Sequence, residues 1–265
     1  MSERVTITIE DHVAEVTLAR PEKYNALDHA MFEAITAAGN ALAKDTSVRA
    51  VVLCGAGENF CAGIDITNFA GGDNPTSVER MQPIAGTPAN YFQSPAYVWK
   101  ALPVPVIAAL QGVVFGGGLQ IAMGADVRYA SPGAQFSIME IKWGLIPDMG
   151  ITTTLRDVVP LDKIKGLTYS GAIIDASDAE RFGLVTHLAD DPLDAARKLA
   201  RQIASKSPDA IRAGKALLNE AWGLPADQSL RLEAKLQMGL IGKPNQLEAA
   251  AASMEKRAAN FRDPE

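Results

Sequence analysis

The chain has 265 residues, of which 48% are hydrophobic and 21% charged, and 25 Lys and Arg against 31 Asp and Glu give a net charge of −6. A chain of this length buries about 70–75% of its unfolded surface, so it needs no disulfides or metals to fold. The composition excludes the disordered, collagen-like and disulfide-rich classes. The acidic balance, with no run of Lys or Arg, disfavours nucleic acid and anionic membrane surfaces as partners, so an anionic ligand would need local cations.

Cysteine usage and the N-terminus indicate a cytoplasmic protein. The two cysteines, Cys54 and Cys61, are seven residues apart, which fits neither a redox pair nor a zinc knuckle. The first residues lack the apolar stretch of a secretion signal, and no segment approaches about 18 uncharged apolar residues. We therefore expect neither export nor a membrane anchor.

The first fifth of the chain predicts two strands, a helix and a third strand. Apolar residues alternate over 5–9 and 13–18, which predicts a hairpin that turns at Asp11 and His12. A helix is expected from Asp28, its N-cap, with an apolar face formed by Met31, Ile35, Ala38 and Leu42. The apolar run Val48–Cys54 then predicts a buried parallel strand.

The rest of the chain continues as α/β and ends in helices. Residues 66–99 are punctuated by Gly and Pro and predict a loop with short helices over a pocket. Val104–Leu110 predicts a second buried strand, and the glycines at 116–118 open a helix that ends near Gly124. Further strands are expected at 127–130, 135–137 and 184–187, and helices at 150–157, 161–169, 178–183, 192–205, 208–221, 226–240 and 244–260.

Several common catalytic motifs are missing from the sequence. There is no G-x-S-x-G nucleophile turn and no G-x-x-x-x-G-K-S/T phosphate loop, and the three histidines lack metal-ligand spacing. The string Gly55 to Phe60 resembles a dinucleotide fingerprint, but Phe60 replaces the last glycine and no helical pattern follows. We therefore predict no metal site, no Ser-His-Asp catalysis and no nucleotide cofactor.

Two glycine-bearing turns, 60–66 and 112–120, follow buried strands. Glycines let a ligand approach the main chain, and the start of a helix leaves N–H donors unpaired. These turns could therefore bind a ligand with backbone N–H groups. The same glycines could equally serve only a tight turn and close helix packing.

Four spaced motifs identify a resemblance to a known family. Arg20–Leu27, Asn59–Ile66, Gly112–Gln120 with Ala125–Ala130, and Ala134–Pro147 resemble the crotonase superfamily, the enoyl-CoA hydratases and isomerases. The resemblance covers nearly the whole chain. It implies an α/β crotonase-like spiral of ββα units over 1–190 and a helical C-terminal trimerisation region over 191–265. It also implies a homotrimer or dimer of trimers and an acyl-CoA thioester ligand, with no cofactor besides the coenzyme A of the substrate.

The resemblance assigns chemical roles to residues of both glycine turns. The N–H groups of Ile64 and Gly117 match the oxyanion hole that holds the thioester oxygen. Hydratases of the family carry two glutamates twenty residues apart, and the matching positions here are Gln120 and Glu140. Because an amide cannot exchange a proton at neutral pH, two-glutamate hydration is in doubt. Glu140 is the expected acid/base residue.

A second carboxylate occurs eight residues beyond Glu140. Asp148 matches a position at which dienoyl-CoA isomerases carry a carboxylate, and two carboxylates on opposite sides of an acyl chain can move a proton between carbons. An isomerase of mono-enoyl substrates needs only Glu140. Asp148 could alternatively cap the helix expected from Gly150.

The remaining ligand contacts are also implied by the resemblance. The cations expected to bind the phosphates of CoA are Arg20 or Lys23, together with Arg262 from the same or a neighbouring subunit. Ala62, Asp65 and Ile66 are expected at the adenine, and Trp143, Met139 and Met149 in the acyl pocket. The other expected substrate contacts are Ala26, Gly116, Gln120 and Phe261.

Three functions are compatible with these residues. The first is double-bond isomerisation of an enoyl-CoA or dienoyl-CoA, with Glu140 moving the proton. The second is hydration of a 2-enoyl-CoA, in which Gln120 positions water and Glu140 with Asp148 supplies the proton steps. The third is a CoA-binding scaffold without catalysis.

Overall fold

The computed structural model describes residues 4–65 and 78–264. Their larger sheet has six strands in the order β1-β2-β3-β4-β6-β9. These strands are β1 (Val5–Glu10), β2 (Val13–Leu18), β3 (Ala50–Gly55), β4 (Val106–Leu110), β6 (Val127–Ala130) and β9 (His187–Leu188). β1 and β2 are antiparallel, and every later pair in this sheet is parallel.

A smaller sheet of the described chain has three strands in the order β5-β7-β8. They are β5 (Val113–Phe115), β7 (Gln135–Ser137) and β8 (Ile174–Asp175). β5 follows β4 after two residues, and β7 follows β6 after four, so consecutive strands pass from the larger sheet to the smaller one. This alternation forms the repeated ββα turns of the spiral.

Ten α-helices are described, and most of the C-terminal part of the chain is helical. They are α1 (His29–Leu42), α2 (Ser94–Ala101), α3 (Gly117–Ala122), α4 (Ile151–Thr154), α5 (Leu161–Ser170), α6 (Ala176–Phe182), α7 (Pro192–Ala204), α8 (Pro208–Ala221), α9 (Ala226–Met238) and α10 (Pro244–Glu255). The Asp28 side chain accepts a hydrogen bond from the N–H of Met31, which confirms the predicted cap of α1. None of the described helices has the length and apolar content needed to cross a membrane.

Both faces of β3 and β4 are buried, which explains the uninterrupted apolar runs of these two strands. Val51 and Leu53 point into the main core with α1, while Val52 and Ile107 face the other side. The small residues Ala196 and Ala200 of α7 let that helix pack directly on this second face. The predicted boundary between a catalytic core and a C-terminal region at residues 190 and 191 stays a prediction. The first helix after it, α7, packs on the larger sheet.

The later helices expose large apolar side chains. Helix α9, for example, has no buried residue. The exposed apolar residues of the C-terminal helices and their turns are Leu218, Trp222, Leu224, Leu230, Met238, Ile241, Leu247 and Met254. Association into a trimer stays a prediction.

Several predicted elements were wrong in place or extent. The helix expected over 150–157 covers only Ile151–Thr154, and the one over 244–260 ends at Glu255 because Lys256 adopts a left-handed conformation. The strand expected at 184–187 lies at His187–Leu188, while Leu184 is buried before it. Strands β5 and β8 were missed, and residues 66–77 of the predicted loop lie outside the described residues.

Candidate active site

The two glycine-bearing turns lie side by side. The N–H of Cys61 donates to the Val113 carbonyl at 3.1 Å, and the N–H of Phe115 donates to the Cys61 carbonyl at 3.0 Å. These bonds pair Cys61 with Val114 in parallel register. Ile64 and Gly117 each follow this bridge by three residues.

Glycine is required where the turns meet. Gly63 has a φ of +89°, and a Cβ there would lie 2.7 Å from the Phe115 carbonyl oxygen and 3.4 Å from the Gly117 nitrogen. A Cβ on Gly118 would lie 2.5 Å from the Cys61 carbonyl oxygen. Any side chain at either position would push the turns apart.

Two N–H groups at this junction have no acceptor within the described parts of the chain. They belong to Ile64 and Gly117, whereas the N–H of Asp65 donates to the Leu27 carbonyl and that of Gly116 to the Ser137 carbonyl. Gly117 is the first residue of α3, where a helix has no internal acceptor. The geometry leaves two donors for an oxygen atom of a ligand.

Glu140 lies beside these donors. It begins a short 3-10 helix, Glu140–Trp143, and is only 9% exposed. A Cβ on Gly116 would lie 3.4 Å from its Oε1 atom, so the glycine leaves room for the carboxylate. The pocket in front of Glu140 is lined by Ala62, Gly63, Ile64, Gly116, Gly117, Met139, Glu140, Trp143 and Leu145.

The environment of Glu140 favours its protonated form. Burial raises the pKa of this carboxyl above its ordinary value, and the negative charge of Asp148 adds to the rise. Hydrogen bonds from the Glu140 backbone and from Gln120 act in the opposite direction but do not cancel the effect of burial. A carboxyl whose pKa moves toward neutrality is suited to both accept and return a proton.

Gln120 occupies the interior of α3 and is 1% exposed. Its Nε2 donates to Glu140 Oε1 at 2.7 Å, and its Oε1 accepts the N–H of Met149 at 2.8 Å. The amide therefore connects Glu140 to the chain segment that carries Asp148.

Asp148 acts on Glu140 through its charge and does not cap a helix. Helix α4 begins after Gly150, and no side-chain hydrogen bond caps it. The pKa of Asp148 is itself raised, because part of its hydration is lost by burial. The capping alternative is therefore wrong, and the catalytic role of Asp148 stays a prediction.

Two residues expected to contact CoA bind one another. Arg20 donates through Nη1 to Asp65 Oδ2 at 2.8 Å and to the Ala26 carbonyl at 3.1 Å. Ala26 is buried beneath this turn, whereas Lys23 is exposed at the end of Pro21–Lys23. The ion pair occupies the Arg20 guanidinium and leaves Lys23 as the accessible cation of this motif.

The other expected ligand residues are less closely grouped. Ala62 and Trp143 line the pocket, and Trp143 is half exposed beside the Lys142 ammonium. Met149 packs against Gly117 without lining the pocket. Ile66 lies outside the described residues.

Phe261 and Arg262 lie in the C-terminal tail and do not line this pocket. The Phe261 carbonyl accepts from Arg49 at 3.1 Å, and the N–H of Arg262 donates to Asn245 Oδ1 at 2.9 Å. The Arg262 side chain is exposed. Its contribution to the site of a neighbouring subunit stays a prediction.

Two features of the site were missed from the sequence. Leu145 lines the pocket, and its place just after the short 3-10 helix gave no periodic signal. Asn25 is fully buried and donates through Nδ2 to the carbonyls of Ala56 and Asn59, which holds the first motif against the turn after β3. Its position within Arg20–Leu27 was the available signal.

Comparison with known proteins decides the family. The model of the enoyl-CoA hydratase/isomerase family matches residues 8–264. The chain belongs to this family. It therefore shares the crotonase-like fold that the sequence motifs implied, and it is an enzyme of the superfamily.

Relatives within the family carry two kinds of names. The chain is 33% identical over 98% of both chains to a Mycobacterium bovis protein named "Probable enoyl-CoA hydratase echA8". It is 34% identical to the mouse mitochondrial Delta(3,5)-Delta(2,4)-dienoyl-CoA isomerase, over 93% of this chain and 77% of that one. The crystal structure of an enoyl-CoA hydratase from Bacillus anthracis matches 98% of this chain and 100% of its own with a TM-score of 0.90 at 27% identity.

Proposed function

We propose that this family member shifts a double bond of an enoyl-CoA or dienoyl-CoA, with Glu140 as the acid/base residue. The observation that carries the proposal is the residue set around Glu140. It combines two N–H donors that have no acceptor in the described chain, the amide of Gln120, and the exposed carboxylate of Asp148, whose charge acts on Glu140. This set supplies what proton transfer between carbons requires.

The backbone donors would bind the thioester oxygen. Removal of a proton from the α-carbon makes an enolate whose negative charge collects on that oxygen. The N–H groups of Ile64 and Gly117, which line the same pocket as Glu140, would stabilise this charge. The loss of one such donor typically costs about 3–4 kcal/mol of transition-state stabilisation.

The carboxylates would carry the proton. In a 3-enoyl-CoA, Glu140 alone could take the proton from the α-carbon and return it to the γ-carbon. In a 3,5-dienoyl-CoA the receiving carbon lies two bonds further along, and Asp148 is the group available to share the transfer with Glu140. Both reactions leave the product isomeric with the substrate and consume no water.

Hydration of a 2-enoyl-CoA is the second candidate, favoured by the names of relatives such as the M. bovis protein. In that reaction Gln120 would position water, and Glu140 with Asp148 would supply both proton steps. Gln120 holds Glu140 and Met149 and carries no exchangeable proton at neutral pH, so it cannot supply the second acid of a two-glutamate hydratase. We therefore place isomerisation first.

Coenzyme A would arrive as part of the substrate, with no separate cofactor. Lys23 is exposed and is proposed to contact a phosphate, and Arg262 from a neighbouring subunit of a trimer is proposed as the second cation. Arg20 would act indirectly, since it holds Asp65 and the Ala26 carbonyl in place.

The proposal is tested with the purified protein and three substrates. A 3-enoyl-CoA, a 3,5-dienoyl-CoA and a 2-enoyl-CoA are each followed through the ultraviolet absorbance of the conjugated thioester. We expect conjugation to increase with at least one of the first two and to persist with the third. Loss of absorbance from the 2-enoyl-CoA, without turnover of the other two, would instead identify a hydratase.

Two variants divide the roles of the carboxylates. Glu140→Gln is expected to abolish turnover of both isomerisation substrates. Asp148→Asn is expected to abolish turnover of the dienoyl substrate and to retain turnover of the mono-enoyl one. Full dienoyl turnover in Asp148→Asn would show that Glu140 works alone.

A further inference from the structure

The orientation of the Gln120 amide is fixed by its neighbours. The N–H of Met149 can only donate, so the amide oxygen must face it at 2.8 Å. The NH₂ group must then face Glu140 Oε1, at 2.7 Å. No other assignment of the two amide atoms satisfies both contacts.

This orientation makes the two oxygens of Glu140 unequal. Oε1 accepts the hydrogen bond from the Gln120 NH₂ group, so it cannot carry a proton that points toward that group. Oε2 is buried and has no hydrogen-bond partner in the part of the chain that the structure describes. A neutral Glu140 therefore carries its proton preferentially on Oε2, in a side chain that lines the pocket with Gly116 and Gly117.

We propose that Gln120 is a positioning residue that directs the exchangeable proton of Glu140 to Oε2 and ties the Asp148 segment to the same carboxylate. The inference rests on the proposed function for its catalytic meaning, but the hydrogen-bond chain exists without substrate. A single neutral amide links Glu140 at one end to the peptide that joins Asp148 and Met149 at the other.

A neutral residue at this position has a specific consequence for titration. Two carboxyls in contact share a proton and lose their protons in two coupled steps. With Gln120 in place, Glu140 has no titrating partner in direct contact through this side chain. The amide donor stabilises the charged form of Glu140, so its removal makes the carboxyl harder to ionise.

The test measures ionisation of Glu140 without turnover. The infrared carbonyl stretch of the protonated carboxyl is followed against pH, each protein being compared with the same chain carrying Glu140→Gln. In Gln120→Met the donor is lost, and we expect the midpoint to rise by about one pH unit or more, because a hydrogen bond to a charged group is typically of that strength. The acid limb of kcat should move with it while KM stays near its wild-type value.

A second variant tests the same role if Gln120→Met fails to fold. Gln120→Glu retains an acceptor for the Met149 N–H, and we expect two titration steps, one above and one below the wild-type midpoint. Gln135→Met, an exposed glutamine of β7, is the matched control and should leave the midpoint unchanged. Thermal unfolding of each variant reports the folded fraction.

The outcomes separate this inference from the proposed function. A wild-type midpoint in folded Gln120→Met, or a single unshifted step in Gln120→Glu, would overturn the positioning role even if isomerisation is observed. Shifted midpoints in both variants would support it even if the isomerisation assay is silent, in which case the proposed function alone fails.

Discussion

The replacement Glu140→Gln should separate stability from activity in a pH-dependent way. The amide is nearly isosteric and its oxygen can still accept from Gln120 Nε2, now 2.7 Å from Glu140 Oε1. Because its nitrogen takes the place of Oε2, which has no partner in the described chain, both forms leave one buried polar atom unpaired at low pH. The comparison therefore isolates the charge.

The sign follows from the direction of the pKa shift. Burial raises the pKa of Glu140 in the folded protein above the ordinary value of 4.5, so the folded state holds the proton more tightly than the unfolded state. Stability contributed by this group is present below pH 4.5 and is lost as the pH rises through the folded-state pKa. At higher pH the wild type keeps a buried charge that Glu140→Gln lacks.

The difference in stability between wild type and variant grows with the rise in the pKa of Glu140. Each unit by which folding raises the pKa destabilises the wild type by about 1.4 kcal/mol at high pH. Chemical unfolding at about pH 5 and about pH 8 should show a difference between variant and wild type that grows toward the higher pH. Turnover should fall by roughly 10²–10⁴-fold, the usual contribution of a general acid or base.

Glu233→Gln, at an exposed position of α9, is the control and should give the same difference in stability at both pH values. The reasoning is refuted if Glu140→Gln also gives a constant difference, or if the variant loses stability relative to wild type as the pH rises.

Three further substitutions test the packing of the site. Gly118→Ala places a Cβ 2.5 Å from the Cys61 carbonyl oxygen, so kcat should fall by about 10²–10³-fold and stability by about 1–3 kcal/mol, measured by turnover and unfolding. Gly214→Ala in α8 meets no atom within 4 Å and should stabilise the protein by about 0.5–1 kcal/mol with unchanged kcat; a loss of stability would show that this glycine is needed. Arg20→Ala removes the guanidinium that donates to Asp65 at 2.8 Å and to the Ala26 carbonyl at 3.1 Å, and should cost about 1.5–3 kcal/mol; a change near zero in denaturant unfolding would contradict the structural role.

The fold was predictable where the sequence carries a long signal. The apolar runs that became β3 and β4 are buried on both faces, and the spacing of Met31, Ile35 and Leu42 matches the buried face of α1. The three-residue strand β5 was not predictable, because its pairing with β7 is a long-range contact and its residues lie inside a glycine motif. Short strands have too few residues to show a period.

The candidate site was also predictable only in part. The family resemblance implied positions 120 and 140 as site residues, but it did not imply their connection, because the partner that orients the amide is the backbone N–H of Met149. A backbone donor has no signature in the sequence. The Arg20 and Asp65 pair was equally invisible, since two residues expected to face a ligand neutralise one another across the fold.

The central claim, that this enzyme isomerises and does not hydrate, is tested most directly by the mass of its product. Wild-type protein is incubated separately with a 3,5-dienoyl-CoA, a 3-enoyl-CoA and a 2-enoyl-CoA. The acyl-CoA products of each mixture are separated by chromatography and their masses are measured by mass spectrometry. We predict a new isomer of unchanged mass from the dienoyl or 3-enoyl substrate that is absent with Glu140→Gln. A product heavier by one water from the 2-enoyl-CoA, with no isomer from the others, would contradict the account.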